Sequence, residues 1–198
     1  MKPFLIDPKE RRVETVNLPP STPTSEVRVS DPASSEATLA AMLHPGSMHR
    51  LVAFRIEDQR YAVQLPVVVR VLRMVAVSPL PQAPSIVLGV INVHGQIIPV
   101  LDVLRRFGLS ACKYGLSSTL LIARTNRRTL ALPVNEVLGV QEVTSEIVTS
   151  PSALVPGVGL VVGIAAFPDG MLFIHDLDAF LSLDEEQQLS SALEEPPE

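Results

Sequence analysis

The chain has one cysteine, no tryptophan and only 4% aromatic residues among its 198. A single thiol, Cys112, excludes an intramolecular disulfide and a cysteine-built zinc cage, so a reducing compartment is expected. With aromatics scarce, Val, Leu, Ile and Ala must fill the core. The supply is ample at 46% hydrophobic residues and a mean hydropathy of +0.30. Abundant β-branched side chains favour a pleated, half-buried surface over a helix. The chain also lacks a long uninterrupted apolar run: the stretch 154–167 is broken by Pro156, Gly157, Gly159 and Gly163, too often to span a bilayer. Near the start, Asp7, Lys9 and Glu10 interrupt any signal-peptide core. The expectation is a cytoplasmic protein with no direct membrane insertion.

No strong excess of basic charge exists either. Residues 1–50 hold six basic and six acidic side chains, and residues 51–182 hold ten and nine. The net charge of −5 arises in residues 183–198, which carry six acids and no base. Arg105-Arg106 and Arg127-Arg128 are isolated pairs. A nucleic-acid partner is therefore not expected, because it calls for Lys and Arg gathered on one face.

Seven prolines and little apolar periodicity mark residues 1–49, which reads as a disordered Pro-rich tail. On that reading, removing residues 1–47 leaves stability nearly unchanged. Within the tail, Ser35–His44 has the pattern of a short capped helix, either a transient helix in a linker or a docking handle. Residues 184–198 read as an acidic tail. Between the tails lies a domain, 50–183. LVAFRI (51–56) and RYAVQL (60–65) form a hairpin about Glu57-Asp58, and short strands follow at 71–77, 86–93, 96–101, 119–125, 128–134, 160–167 and 170–176. His94-Gly95 and Pro168-Asp169-Gly170 are tight turns. Short helices are expected after Pro66, at Asp102–Phe107, after Pro133 and at Asp176–Leu181.

An ordered internal repeat runs through this domain. Arg55 answers Arg124, Leu65-Pro66-Val67 answers Leu132-Pro133-Val134, and Val71-Leu72 answers Val137-Leu138. Further on, Gly89-Val90-Ile91 answers Gly163-Ile164-Ala165, and Asp102 answers Asp176. The fold expected is all-β with a few short helices, built as two five-stranded barrel lobes at roughly 50–115 and 116–183. The lobes are free to exchange terminal elements.

No constellation for chemistry emerges. His44, His49, His94 and His175 show no metal-ligand spacing. His175-Asp176 reads as a structural histidine beside a helix-capping aspartate. Asp102 caps the next short helix. Cys112 has no paired histidine. The glycines at 157, 159 and 163 lack the Lys-Ser/Thr of a phosphate loop. Neither a catalytic set nor a cofactor or metal is expected.

The block LGVINVHGQIIPVLDVLRRFGL (88–109) resembles the signature of the chemotaxis coupling protein family, the CheW family. Gly89, Val90, Asn92, Gly95, Ile97, Pro99, Val100 and Asp102 fall in place. Residues 51–73, 127–140 and 163–181 are similar to the family's first hairpin, second-lobe segment and last hairpin. The resemblance implies two SH3-like five-stranded barrels. It also implies a scaffold joining methyl-accepting chemoreceptors, through their cytoplasmic tips, to the regulatory domain of a CheA-type histidine kinase, with recruitment to membrane-associated arrays. Partner contacts are implied at Val68, Arg70, Asn92, His94 and Gly95. Three positions depart from the family pattern: His94 replaces an arginine, Arg70 a glutamate, and Asn135 an aspartate. Arg70 and His94 point to a dedicated partner set, as in a second or pilus-type chemosensory system. The competing reading is a small-ligand-binding regulatory β domain with a ligand in the interlobe groove.

Overall fold

Among the described residues, period-2 alternation, punctuated by the expected turns, becomes eleven strands. The structure, a computed structural model, describes residues 32–106, 114–115, 117–150 and 161–194. Helix α1 (Pro32–Met42) precedes β1 (Met48–Ile56), β2 (Gln59–Gln64), β3 (Val68–Arg73), β4 (Val87–Val93), β5 (Gln96–Leu101) and α2 (Val103–Arg106). Then come β6 (Thr119–Arg124), β7 (Thr129–Val134), β8 (Glu136–Thr144), β9 (Val148–Thr149), β10 (Val161–Phe167), β11 (Gly170–His175) and α3 (Leu183–Glu194).

Two sheets result, in the orders β8-β1-β2-β11-β10-β9 and β3-β6-β7-β5-β4. In the first, β8 bends through a 3₁₀ turn at Ser145–Ile147 into β9, which pairs with β10 at Val148↔Ala165. β8 and β9 act as one bent strand that closes a five-membered barrel. In the second sheet the continuation of β3 reaches Ser78, which bridges to Val90 on β4 and closes that barrel in the same way. A glycine stands at each seam. A Cβ on Gly89, whose φ is +146, would lie 2.1 Å from the Ser78 carbonyl oxygen; one on Gly163 would meet Val148 Cγ1 at 2.9 Å. At Gly89 only glycine permits so close an approach of two backbones.

The repeat is real, but its halves are not the lobes. In sequence the first repeat is β1 to β5 and the second is β6 to β11. Yet β1 and β2 pair into a sheet with β8, β10 and β11, whereas β6 and β7 pair with β3 and β5. Each repeat donates its first hairpin to the other lobe. The expected boundaries of 50–115 and 116–183 are therefore replaced by a lobe built from β3 to β7 and a lobe built from both ends. The registers confirm the equivalence. Leu51↔Gln64 in β1–β2 matches Leu120↔Pro133 in β6–β7, a shift of 69 residues. The likenesses Leu65-Pro66-Val67 to 132–134 and Val71-Leu72 to 137–138 are thus out of structural register: Val71 corresponds to Val140.

The exchange explains the core. Alternate residues of each donated hairpin face opposite ways. Leu51 and Ala53 fill one barrel, and Leu120 and Ile122 fill the other. Their neighbours Val52, Phe54, Leu121 and Ala123 meet in a third cluster between the lobes, with Leu101, Leu104, Phe180 and Leu189. Tyr61 stacks on Phe54 there at 6.0 Å between ring centres. Burying each such large side chain contributes about 2 kcal/mol, so the two lobes are one cooperative unit.

Three expectations are corrected. Residues 32–49 hold α1 and the start of β1 rather than a disordered tail, because Met42 is fully buried among Leu51, Ala53 and Ile174; residues 1–31 lie outside the described residues. Residues 184–194 form α3 rather than an acidic tail. Ser182 and Glu185 cap it reciprocally, Glu185 N–H donating to Ser182 Oγ at 3.2 Å and Ser182 N–H to Glu185 Oε2 at 2.7 Å. Leu189 and Ala192 are buried. Its acids neutralise Arg106 (Glu185, 3.0 Å) and Arg128 (Glu186, 2.6 Å). Finally, Pro133 is followed by strand β8, not a helix, because β1 supplies an eight-pair ladder for it.

A candidate protein-binding face

The two buried aspartates expected to cap helices do so. Asp102 Oδ1 accepts from Leu104 N–H at 3.0 Å, and Asp176 Oδ1 accepts from Asp178 N–H at 3.0 Å. Burial pushes the Asp176 carboxyl above its ordinary 3.8. Neighbouring His175 is buried, its ring edge-on to Phe180 at 5.9 Å. These groups belong to the core. Among the described residues no three His, Cys, Asp or Glu side chains group as a metal site would, and no helix is long and apolar enough to cross a membrane. Cys112 and the glycines at 157 and 159 lie outside the described residues.

The expected partner-contact residues fall in two places on one barrel. Asn92, His94 and Gly95 form the β4–β5 turn. Asn92 Oδ1 accepts from Gly95 N–H at 2.8 Å. His94 and Gly95 take φ of +53 and +87, the pair of left-handed residues that a tight hairpin turn needs. The Asn92, His94 and Gly95 positions are all exposed. Val68 and Arg70 lie on β3, Val68 half-buried on the interlobe core and Arg70 exposed. No hydrogen bond or ion pair among the described residues joins the turn to Arg70. What they share is the barrel, closed between β3 and β4 at Ser78 and Val90.

Around Val68 the structure adds residues that the sequence did not single out. A bulge after Val68 leaves Val69 unpaired, and Val71 then pairs with Leu121. On β8 a bulge after Val137 leaves Leu138 unpaired, and Val140 pairs with Val52. These are the same positions in the two repeats, and both bulged strands start on the interlobe core at Val68 and Val137. Beyond the core they emerge into solvent with Val69 at 44%, Val71 at 46%, Leu138 at 38% and Val140 at 49% exposure. β6, hydrogen-bonded to β3, also touches β8, so the two strands flank one face. Apolar residues exposed at equivalent positions of the two repeats make this a candidate contact surface. The signal lay in the sequence as a repeat at spacing 69, hidden by the looser matches at 66 and 67.

The model of the CheW-like domain family matches residues 50–185. A probable chemotaxis protein CheW of Rhizobium etli is 27% identical over 139 residues, covering 69% of this chain and 90% of that protein. Protein FrzA of Myxococcus xanthus is 31% identical over 108 residues, 54% of this chain and 66% of its own length. The crystal structure of the scaffolding protein TtCheW from Thermoanaerobacter tengcongensis superposes with a TM-score of 0.63 at 25% identity, covering 70% of this chain and 96% of that one.

Proposed function

The chain belongs to the CheW-like domain family, and we propose that within it the protein is a non-catalytic adaptor coupling chemoreceptors to a CheA-type histidine kinase. The observation that carries the reading is the two-lobed face just described. It is an uncovered apolar surface, set on a rigid shared core by two equivalent bulged strands, and it has the character of a docking surface. Among the described residues the interlobe space beneath is filled mainly by apolar side chains, which favours a protein partner over a small ligand.

The kinase's regulatory domain and the receptor's cytoplasmic tip are the partners proposed, with Val68, Arg70, Asn92, His94 and Gly95 among the contacts. Arg70 stands where the family pattern has an acid, which favours a dedicated kinase and receptor over the general pair. The protein itself stays in the cytoplasm and joins arrays through the receptor. Isothermal titration calorimetry of the purified chain against the regulatory domains and receptor tips encoded in its own genome tests this. The expected result is modest affinity for one kinase and one receptor class, as suits small interfaces reinforced by avidity. Absence of heat with every one of them would overturn the reading.

A further inference from the structure

We infer that the rim of the β3–β7 barrel beside the Val69 bulge takes an acidic side chain from the protein partner, held between Arg70 and Arg124. This rests on the adaptor reading and deepens it by giving the partner's chemistry. The two repeats differ sharply at one place. In the ladder of β1 with β8, Ala53 pairs with Gly139 and Arg55 with Glu136, and Arg55 Nη2 lies 2.9 Å from the Glu136 carboxylate. Under the shift of 69 residues the equivalent pairs are Ile122 with Arg70, and Arg124 with Val67. The arginine is kept, the acid has become a valine, and the glycine has become a second arginine. One bulge is neutral within the molecule; the other carries two positive charges and no carboxylate.

Leu120 and Ile122 point into the β3–β7 barrel, so alternation puts Arg124 on the same side, at the exposed end of β6. Arg70 pairs with Ile122, shares that side and is exposed as well. Diagonal neighbours on adjacent strands lie about 7–8 Å apart, so two guanidinium groups there can close on one carboxylate. Among the described residues neither arginine makes a salt bridge. Asp178 reaches the β6–β7 turn, but there it accepts from Asn126 N–H at 2.7 Å and from Asn126 Nδ2 at 2.9 Å. Arg73 points to the opposite side of β3, and Arg50 stands opposite Glu142 in its own ladder; neither joins this pair. Like charges on neighbouring strands are unfavourable until an anion lies between them. Arg55 with Glu136 displays the group that the site lacks, a carboxylate where Val67 stands. Val67 packs on the interlobe core, so apolar contact adjoins the two charges. The occupant that fits is a partner segment carrying an Asp or Glu beside an apolar side chain.

Calorimetry with the full chain, against the CheA-type regulatory domain or receptor tip of its own genome that the wild type binds, tests this at low and high salt. Arg124→Glu should weaken binding at least about tenfold at low salt and less at high salt. Arg60→Glu, the same change of net charge on the other lobe, should stay within about threefold. Val67→Glu supplies internally the acid that Arg55 has in Glu136, and should weaken binding well beyond Val67→Gln, which adds no charge. Circular dichroism confirms that each variant is folded. A wild type that binds none of these proteins would overturn the adaptor reading and this inference together. Wild-type binding that Arg124→Glu leaves intact, that Arg60→Glu weakens equally, or that folded Val67→Glu and Val67→Gln weaken alike would overturn this inference alone.

Discussion

The Thr38 hydroxyl donates to Asp176 Oδ2 at 3.2 Å, tying α1 to a residue 138 positions away. Tyr114 makes the equivalent bond, its hydroxyl donating to Asp102 Oδ1 at 3.2 Å. The segment ahead of each repeat thus closes the lobe that its own first hairpin enters. α1 is therefore a structural part of the domain, although the family model begins only at residue 50. Met42 anchors it inside the barrel. Met42→Ala should cost about 2–5 kcal/mol by the loss of buried methylenes and the cavity left behind. Removing residues 1–47 should lower the melting temperature clearly, in place of the neutral outcome a disordered tail implies. Urea denaturation of both variants checks this.

Asp176 gives the fold a pH signature. Burial raises its carboxyl above 3.8, against the opposing hydrogen bonds from Asp178 N–H and Thr38. The folded state therefore holds a proton that the unfolded state has already released. Stability from this group is complete below 3.8 and is lost as pH rises through the raised value. Asp176→Asn keeps a capping oxygen but cannot ionise. The stability difference between Asp176→Asn and wild type should shift in favour of Asn across that window, then level off. Denaturant titrations at several pH values read it directly. A difference independent of pH would assign Asp176 an unshifted carboxyl.

The two seam glycines should differ in their tolerance of a methyl group. Gly89→Ala drives a Cβ into the Ser78 carbonyl oxygen, a backbone atom, from a conformation that L side chains avoid. Gly163→Ala meets the Val148 side chain, which can turn aside. Overpacking of the second kind costs about 1–3 kcal/mol. The first should cost more and open the Ser78–Val90 closure. Thermal melts rank the pair, and amide hydrogen exchange at Val90, which donates to Ser78 O at 2.8 Å, locates the opening.

Glu185 both caps α3 and neutralises Arg106, whose side chain is only 6% exposed. Glu185→Ala removes the capping box and strands a nearly buried guanidinium. Together these should cost about 3 kcal/mol. Glu194→Ala, at the exposed end of the same helix, should stay within about 0.5 kcal/mol of wild type. Equal effects from the two in chemical denaturation would return this segment to the status of an acidic tail.

Arg70 should set partner choice. It follows the Val69 bulge on an exposed strand and makes no ion pair among the described residues. A rim charge acts mainly on association rate and discrimination. Arg70→Glu should weaken binding to the dedicated kinase and strengthen binding to a general CheA-type kinase, most clearly at low salt. Arg70→Ala should do less, since it removes attraction without adding repulsion. Dissociation constants at two salt concentrations measure this; agreement of all three proteins for both kinases would make Arg70 a bystander.

Local chemistry alone determined much of this protein. The alternation in LVAFRI and RYAVQL defines a strand pair, His94-Gly95 defines a tight turn, and Asp102 and Asp176 define caps. Each depends on neighbours a few residues away. So does the signature around Asn92 and Pro99, by which the sequence already resembled its family. Tertiary structure alone decided which lobe each hairpin joins, because β1 and β6 are apolar on both faces and fit either sheet until β8 and β3 pair with them. It also decided that Glu136–Thr144 is a strand, through its ladder with β1, and that Met42 and Leu189 leave the tails for the core. The face of Val69, Val71, Leu138 and Val140 exists only once those pairings are made. Its residues are ordinary strand positions in the sequence, brought to one surface by ladders that span about seventy residues.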